Sequence, residues 1–134
     1  MRSLGRCARW TAPALGLAVA AVFLGGTTAA TAKAPAKKPK PALVTVADYY
    51  FGPTTTTIKK GGSVKWVWAS TNTAPHDVHL KKGPKGLKNA GSYSTKTTAV
   101  TNAEFKKTFE TPGTYNFICT IHPTKMKLTV TVKK

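Results

Sequence analysis

The run Cys119-Thr-Ile-His122-Pro-Thr-Lys-Met126 places a thiol, an imidazole and a thioether within eight residues. A second imidazole, His76, stands in the segment Ala-Pro-His76-Asp-Val-His-Leu. Thiolate and thioether sulfur favour Cu(I), and imidazole suits both copper states. Two His, one Cys and a weak axial Met together make the donor set of a blue-copper centre. Zinc prefers further Cys, His or carboxylate to a thioether, so Met126 speaks against it. A Cys–His nucleophile pair needs an oxyanion hole and an orienting third group, and Cys119 sits in a strand-like run rather than at a helix start. The candidate metal ligands are therefore His76, Cys119, His122 and Met126, for one copper ion, and no residue is assigned a catalytic role.

The thiol is informative because of where the chain is expected to reside. Arg2, Arg6 and Arg9 precede an uncharged run from Trp10 to Ala32, and Ala30-Thr31-Ala32 fits a small-residue cleavage site. That is the layout of a secretory signal peptide, over residues 1–32. Its apolar heart, Ala12 to Gly26, is shorter than the ~20 residues a membrane span needs. Cleavage after Ala32 leaves residues 33–134 with one cysteine, Cys119. Exported proteins normally pair their thiols, so an unpaired one needs a purpose such as metal binding. A single thiol also excludes a disulfide framework, a four-cysteine zinc site and a binuclear copper centre.

Those donors must be held by strands. Residues 33–42, KAPAKKPKPA, contain only Lys, Ala and Pro and read as an extended linker. From Leu43 to Lys134 short apolar runs alternate with Gly, Pro, Asn and Lys. Strands are expected at Leu43–Ala47, Thr55–Ile58, Ser63–Trp68, His76–Leu80, Glu104–Phe109, Thr114–Cys119 and Met126–Val132. Such a series makes an all-β, Greek-key antiparallel sandwich. Strand parity puts Val64, Trp66 and Trp68 on one face, and Tyr115, Phe117 and Cys119 on another. Met126, Leu128, Val130 and Val132 share a face, and His76 alternates inward while His79 turns out. All four donors can thus be aimed at one end of one core.

Four motifs carry a likeness to a known family. They are Phe51-x-Pro53, Ile58-x-x-Gly61-x-x-Val64-x-Trp66, Pro75-His76-Asp77-Val78, and Pro112-Gly113-Thr-Tyr115-x-Phe117-x-Cys119-x-x-His122-Pro123. From Leu43 to the C-terminus the chain resembles the cupredoxins, in their plastocyanin, pseudoazurin and amicyanin branch. The resemblance implies a Greek-key β-sandwich holding one type 1 copper on His76, Cys119, His122 and axial Met126. It implies one-electron transfer rather than enzymatic turnover, with His122 near the surface as the electron port. Met126 follows His122 at a spacing inside the range of the superfamily. Asp77 replaces the Asn common after the first histidine. In relatives that side chain bonds the residue after the cysteine, here Thr120, which ties the two ligand loops together.

Charge bears on partners. The full chain has 21 Lys+Arg against 4 Asp+Glu, and residues 33–134 keep 18 Lys, no Arg and a net charge of +14. Without Arg for bidentate contacts, and in an exported chain, nucleic acid is a poor fit. An acidic redox partner in the cell envelope (an oxidase, cytochrome or reductase) fits better, steered by Lys59, Lys60, Lys81, Lys82, Lys106 and Lys107. The expectation is a monomeric, periplasmic or extracellular electron carrier. The alternative is an extracytoplasmic copper chaperone or scavenger of the same fold.

Overall fold

The computed structural model describes residues 39–134. The expected signal peptide and the first part of the linker, residues 33–38, lie outside the described residues. Among the described residues no helix is long and apolar enough to cross a membrane.

Among the described residues, eight strands form two sheets. They are β1 (Ala42–Ala47), β2 (Tyr50–Gly52), β3 (Thr55–Lys59), β4 (Ser63–Trp68), β5 (His79–Lys82), β6 (Glu104–Thr108), β7 (Gly113–Ile118) and β8 (Lys127–Lys133), with one 3-10 turn at Ala90–Tyr93. One sheet runs β2-β1-β4-β6 and the other β3-β8-β7-β5. The expected sandwich is present. Each layer contains one parallel pair, β1 with β4 and β3 with β8, beside its antiparallel pairs. The sheets are therefore mixed rather than antiparallel throughout.

Period-two alternation explains the layers. In β4, Val64, Trp66 and Trp68 are buried between partly exposed neighbours, and in β8 Leu128, Val130 and Val132 are buried. Trp66 anchors the core, its ring 5.3 Å from Phe105 and 5.2 Å from Phe117 between centroids. Phe109 meets Tyr115 edge-on at 4.9 Å, an arrangement aromatic quadrupoles favour. The Pro112-Gly113 turn ahead of β7 requires glycine. Gly113 has φ +137°, and a Cβ there would meet the Pro84 side chain at 2.6 Å.

Two expectations need correction. The strand expected at His76–Leu80 begins only at His79. The backbone of His76 exchanges both hydrogen bonds with Ala99, and Val78 bonds to Thr95 instead of joining a ladder. The short β2, pairing Tyr50–Gly52 with Thr45–Ala47, was not expected, because three residues ending at Gly52-Pro53 give no alternating pattern.

The Tyr115 hydroxyl donates to the Thr111 carbonyl at 2.7 Å across the turn into β7. Burial, and then the neighbouring Tyr93, push its phenol up to about 12. An unfolded tyrosine ionises near pH ~10, so the folded state keeps this proton longer. The stability it contributes is complete below pH ~10 and falls as pH rises through about 12. Urea unfolding of Tyr115→Phe should therefore show a shallower loss of stability across that window than the parent. It should also show a loss of ~1 kcal/mol at neutral pH from the missing hydrogen bond.

Candidate metal centre

The hairpin register builds half of the centre. β7 and β8 pair as far as Ile118 opposite Lys127, so Cys119 and Met126 are the next facing residues. The Cys119 N–H donates to the Met126 carbonyl at 3.2 Å, closing the loop 119–126 at its base. Inside that loop the His122 carbonyl accepts from the N–H groups of Lys125 at 3.2 Å and Met126 at 2.9 Å. The loop is thus a compact turn that returns His122 toward Cys119.

The loop after β4 builds the other half. Besides its pairing with Ala99, His76 has its carbonyl capped by the Trp68 indole N–H at 3.2 Å. Asn72 fixes the same loop by donating to the carbonyls of Val46 and Val100, both at 3.0 Å. Asp77 then joins the two halves. It accepts the Thr120 N–H at 2.7 Å on one oxygen and the Thr120 hydroxyl on the other.

These restraints bring three of the four expected donors together. One ligand atom each from His76, Cys119 and His122 lies within 4.8 Å of the others. The Cys119 Sγ is 3.9 Å from Nδ1 of His76 and 3.8 Å from Nδ1 of His122. Metal bonds of ~2.1 Å to nitrogen and ~2.3 Å to sulfur, opened at a trigonal ~120°, separate N and S by ~3.8 Å. The donor set therefore fits one small ion of trigonal preference. His76, Cys119 and Met126 are fully buried, whereas His122 is partly exposed. His79, expected to face outward, is exposed.

Two neighbours of the centre carried no signal read from the sequence. The β1–β2 turn places Asp48 Oδ1 at 2.8 Å from Nε2 of His76. Asp48 also accepts from the Thr73 N–H and hydroxyl, both at 2.8 Å, and from the Ala74 N–H at 3.2 Å. The His76 ring N–H, followed by the Thr73 amide, holds the Asp48 carboxyl well below the usual carboxylate range. The next residue, Tyr49, sets its ring edge-on to His122 at 5.0 Å, with Lys125 Nζ 5.1 Å from the same ring. Scarcity was the available signal for Asp48: with only four acidic residues in the chain, each one merits a partner.

The sequence model of the family described as copper binding proteins, plastocyanin/azurin family, matches residues 42–133. Amicyanin-alpha of Methylorubrum extorquens is 33% identical over 103 residues, covering 77% of this chain and 79% of that protein. Among solved structures, a mutant plastocyanin of fern superposes with TM-score 0.58 at 29% identity, over 69% of this chain and all of that one. A Cu-containing nitrite reductase from Thermus scotoductus superposes with TM-score 0.59 at 26% identity. That match covers 77% of this chain and only 24% of the reductase, so the chain spans about a quarter of that protein's length.

The Asp77 tie is open to a direct test. Asp77→Ala removes both bonds to Thr120 and should cost about 1.5–3 kcal/mol in denaturant unfolding of the metal-free protein. Asp77→Asn can still accept from the amide and donate to the hydroxyl, and should lose far less.

Proposed function

We propose, because the chain belongs to the plastocyanin/azurin family of copper-binding proteins, that it carries single electrons on one copper held by His76, Cys119, His122 and axial Met126. The observation that carries this reading is the convergence of the His76, Cys119 and His122 donors within 4.8 Å at one end of an apolar core. Copper bound there supplies reversible one-electron chemistry between Cu(I) and Cu(II). The protein's part is to keep the donors fixed. The closed loop 119–126, the Ala99 pairing and the Asp77 tie hold them through hydrogen bonds of the chain itself. A cage already formed needs little rearrangement when the charge at its centre changes.

Three buried donors leave no open position for a substrate, which supports a carrier rather than an enzyme. The partly exposed His122 supplies a route outward, flanked by Ile121 (41% exposed) and Tyr49 (47% exposed). This small apolar rim suits a brief contact with a redox partner.

Residues 1–32 are proposed as an export signal and residues 33–42 as a linker, leaving the domain from residue 43 outside the cytoplasm as a monomer. The partner is proposed to be an acidic redox protein of the envelope. Asp48 and Asp77 are committed to the ligand loops, and Glu104 is paired with Lys65 at 2.7 Å. The outer surface is left strongly basic. Even cross-strand positions oppose lysines, Lys59 with Lys133 and Lys65 with Lys106, a cost in stability that supports a use for the positive field.

Loaded with Cu(II), the protein should be intensely blue and should bleach on reduction. Cys119→Ser should lose that colour and tight Cu(II) binding together, as followed by visible absorption and a copper titration. Retention of both would overturn the ligand assignment.

Electron exchange should depend on charge. Stopped-flow oxidation by an anionic inorganic reagent should outpace that by a cationic one at low salt. The gap should close as screening shortens to ~8 Å near physiological ionic strength. Ile121→Glu should slow exchange with an acidic partner while leaving the visible spectrum unchanged. Equal rates for both reagents at low salt, together with ready loss of copper to a chelator, would favour copper scavenging instead.

A further inference from the structure

The β1–β2 connection combines two unusual features. It is a two-residue turn, Asp48-Tyr49, between the paired residues Ala47 and Tyr50. Tyr49 occupies the left-handed region at φ +69°, where a bulky aromatic residue is rare and glycine or asparagine is usual. A conformation of that cost persists only where its surroundings enforce it. Here it aims the two side chains of the turn at the two imidazoles. Asp48 meets the ring of buried His76, and Tyr49 stands against the ring of His122.

The Asp48 carboxylate is fixed in this role from several directions. Oδ2 takes the Thr73 amide and hydroxyl, and Oδ1 takes the Ala74 amide together with His76 Nε2. Thr73 and Ala74 belong to the loop that carries His76, so turn and loop are fastened as one unit. An ionised carboxylate only accepts hydrogen bonds, so Nε2 of His76 must carry the proton. In the neutral ring the lone pair is then on Nδ1, the nitrogen that faces Cys119 Sγ. Partners of this kind fix the tautomer of a metal-binding histidine and raise its basicity. Because His76 is fully buried, no water competes for either nitrogen. The Asp48 side chain is itself only 24% exposed, so its charge is screened less than a surface charge.

We infer that Asp48 is a positioning residue for the metal centre: its carboxylate holds His76 in the Nε2–H tautomer and biases the site toward the higher charge state of copper. The inference rests on His76 being a copper ligand. It adds that the negative charge behind the imidazole, beyond the imidazole itself, sets the balance between Cu(II) and Cu(I).

Two substitutions separate tautomer from charge. Asp48→Asn can still accept the Nε2 proton through its amide oxygen but carries no charge. Asp48→Ala removes both. In the metal-free proteins, long-range 15N–1H spectra should show His76 as the Nε2–H tautomer in the parent and in Asp48→Asn. Asp48→Ala should show a mixture, and amide dispersion will report whether it stays folded. Cu(II) affinity should fall ~10–100-fold in Asp48→Ala, the usual effect of losing such a partner. The reduction potential should rise in both variants, by about 59 mV for each tenfold loss of Cu(II) relative to Cu(I) binding. Parent-like potentials in both folded variants would overturn the inference, as would a parent metal-free protein in which His76 is the Nδ1–H tautomer. His76→Ala keeps the two questions apart. If it binds Cu(II) as tightly as the parent and with the same blue colour, the ligand assignment fails, whatever the Asp48 variants do.

Discussion

Side chains proposed to hold a metal cannot all be satisfied by the protein, and here most of them lie where water cannot reach. His76, Cys119 and Met126 have no exposed surface. A buried polar atom without a partner costs free energy, and the easiest relief is for side chains to rotate toward one another or toward a backbone group. The rest of the structure depends on preventing that rotation. Many groups around the donors are paired: both backbone groups of His76, its Nε2, the amides of Cys119 and Thr120, and the carbonyl of His122. The atoms of His76 and His122 that face Cys119 Sγ are Nδ1 of each ring.

The sandwich below supplies the rigidity. Cys119 and Met126 are neighbours because β7 and β8 reach that point in register, so the length of the loop between them follows from a hairpin rather than from a special fold. The Trp66, Phe109, Phe117 and Tyr115 cluster sits beneath that hairpin and resists sliding of either strand. A one-residue slip would turn Cys119 outward, since strand side chains alternate between faces. The second sheet contributes through Trp68, which belongs to the buried face of β4 and also caps the His76 carbonyl. One side chain thus serves both the core and the loop.

Much of this was legible in the sequence because period-two alternation reports burial directly. The bounds of β4 match the expected ones at both ends, and the inward parity of Cys119 and Met126 is reproduced. His76 was aimed correctly although it is not in a strand; one bridge to Ala99 is enough to keep extended alternation at that point. Asp48 was illegible for a physical reason. Its contact with His76 spans 28 residues and arises from the parallel pairing of β1 with β4, which sets Val46 beside Trp68 and the end of β1 against the next loop. Alternation within a strand says which face is buried and nothing about which strand lies alongside. Tyr49 was illegible because its backbone conformation contradicts the preference of its residue type, and only the tertiary setting enforces it.

The allocation of acidic residues links the interior to the surface. Four carboxylates serve the whole chain. Asp48 and Asp77 bind the two ligand loops, from the β1–β2 turn and from within the His76 loop itself. Both leave negative charge close to the donor cluster, where it favours a more positive ion. Both sit partly exposed beside the ligand loops, engaged in hydrogen bonds there rather than paired with surface lysines. The same two positions therefore push in two directions at once, toward a centre that retains the oxidised metal and toward a surface that attracts anions. Around His122 the pattern changes, with exposed Ile121 and Tyr49 presenting apolar area beside the ammonium of Lys125. Long-range attraction can then bring an acidic molecule near any face, while the rim around His122 offers it an apolar contact beside a candidate ligand. On the proposed carrier reading, the short-range apolar rim would orient a partner at His122 and the distant lysines would set its rate of arrival.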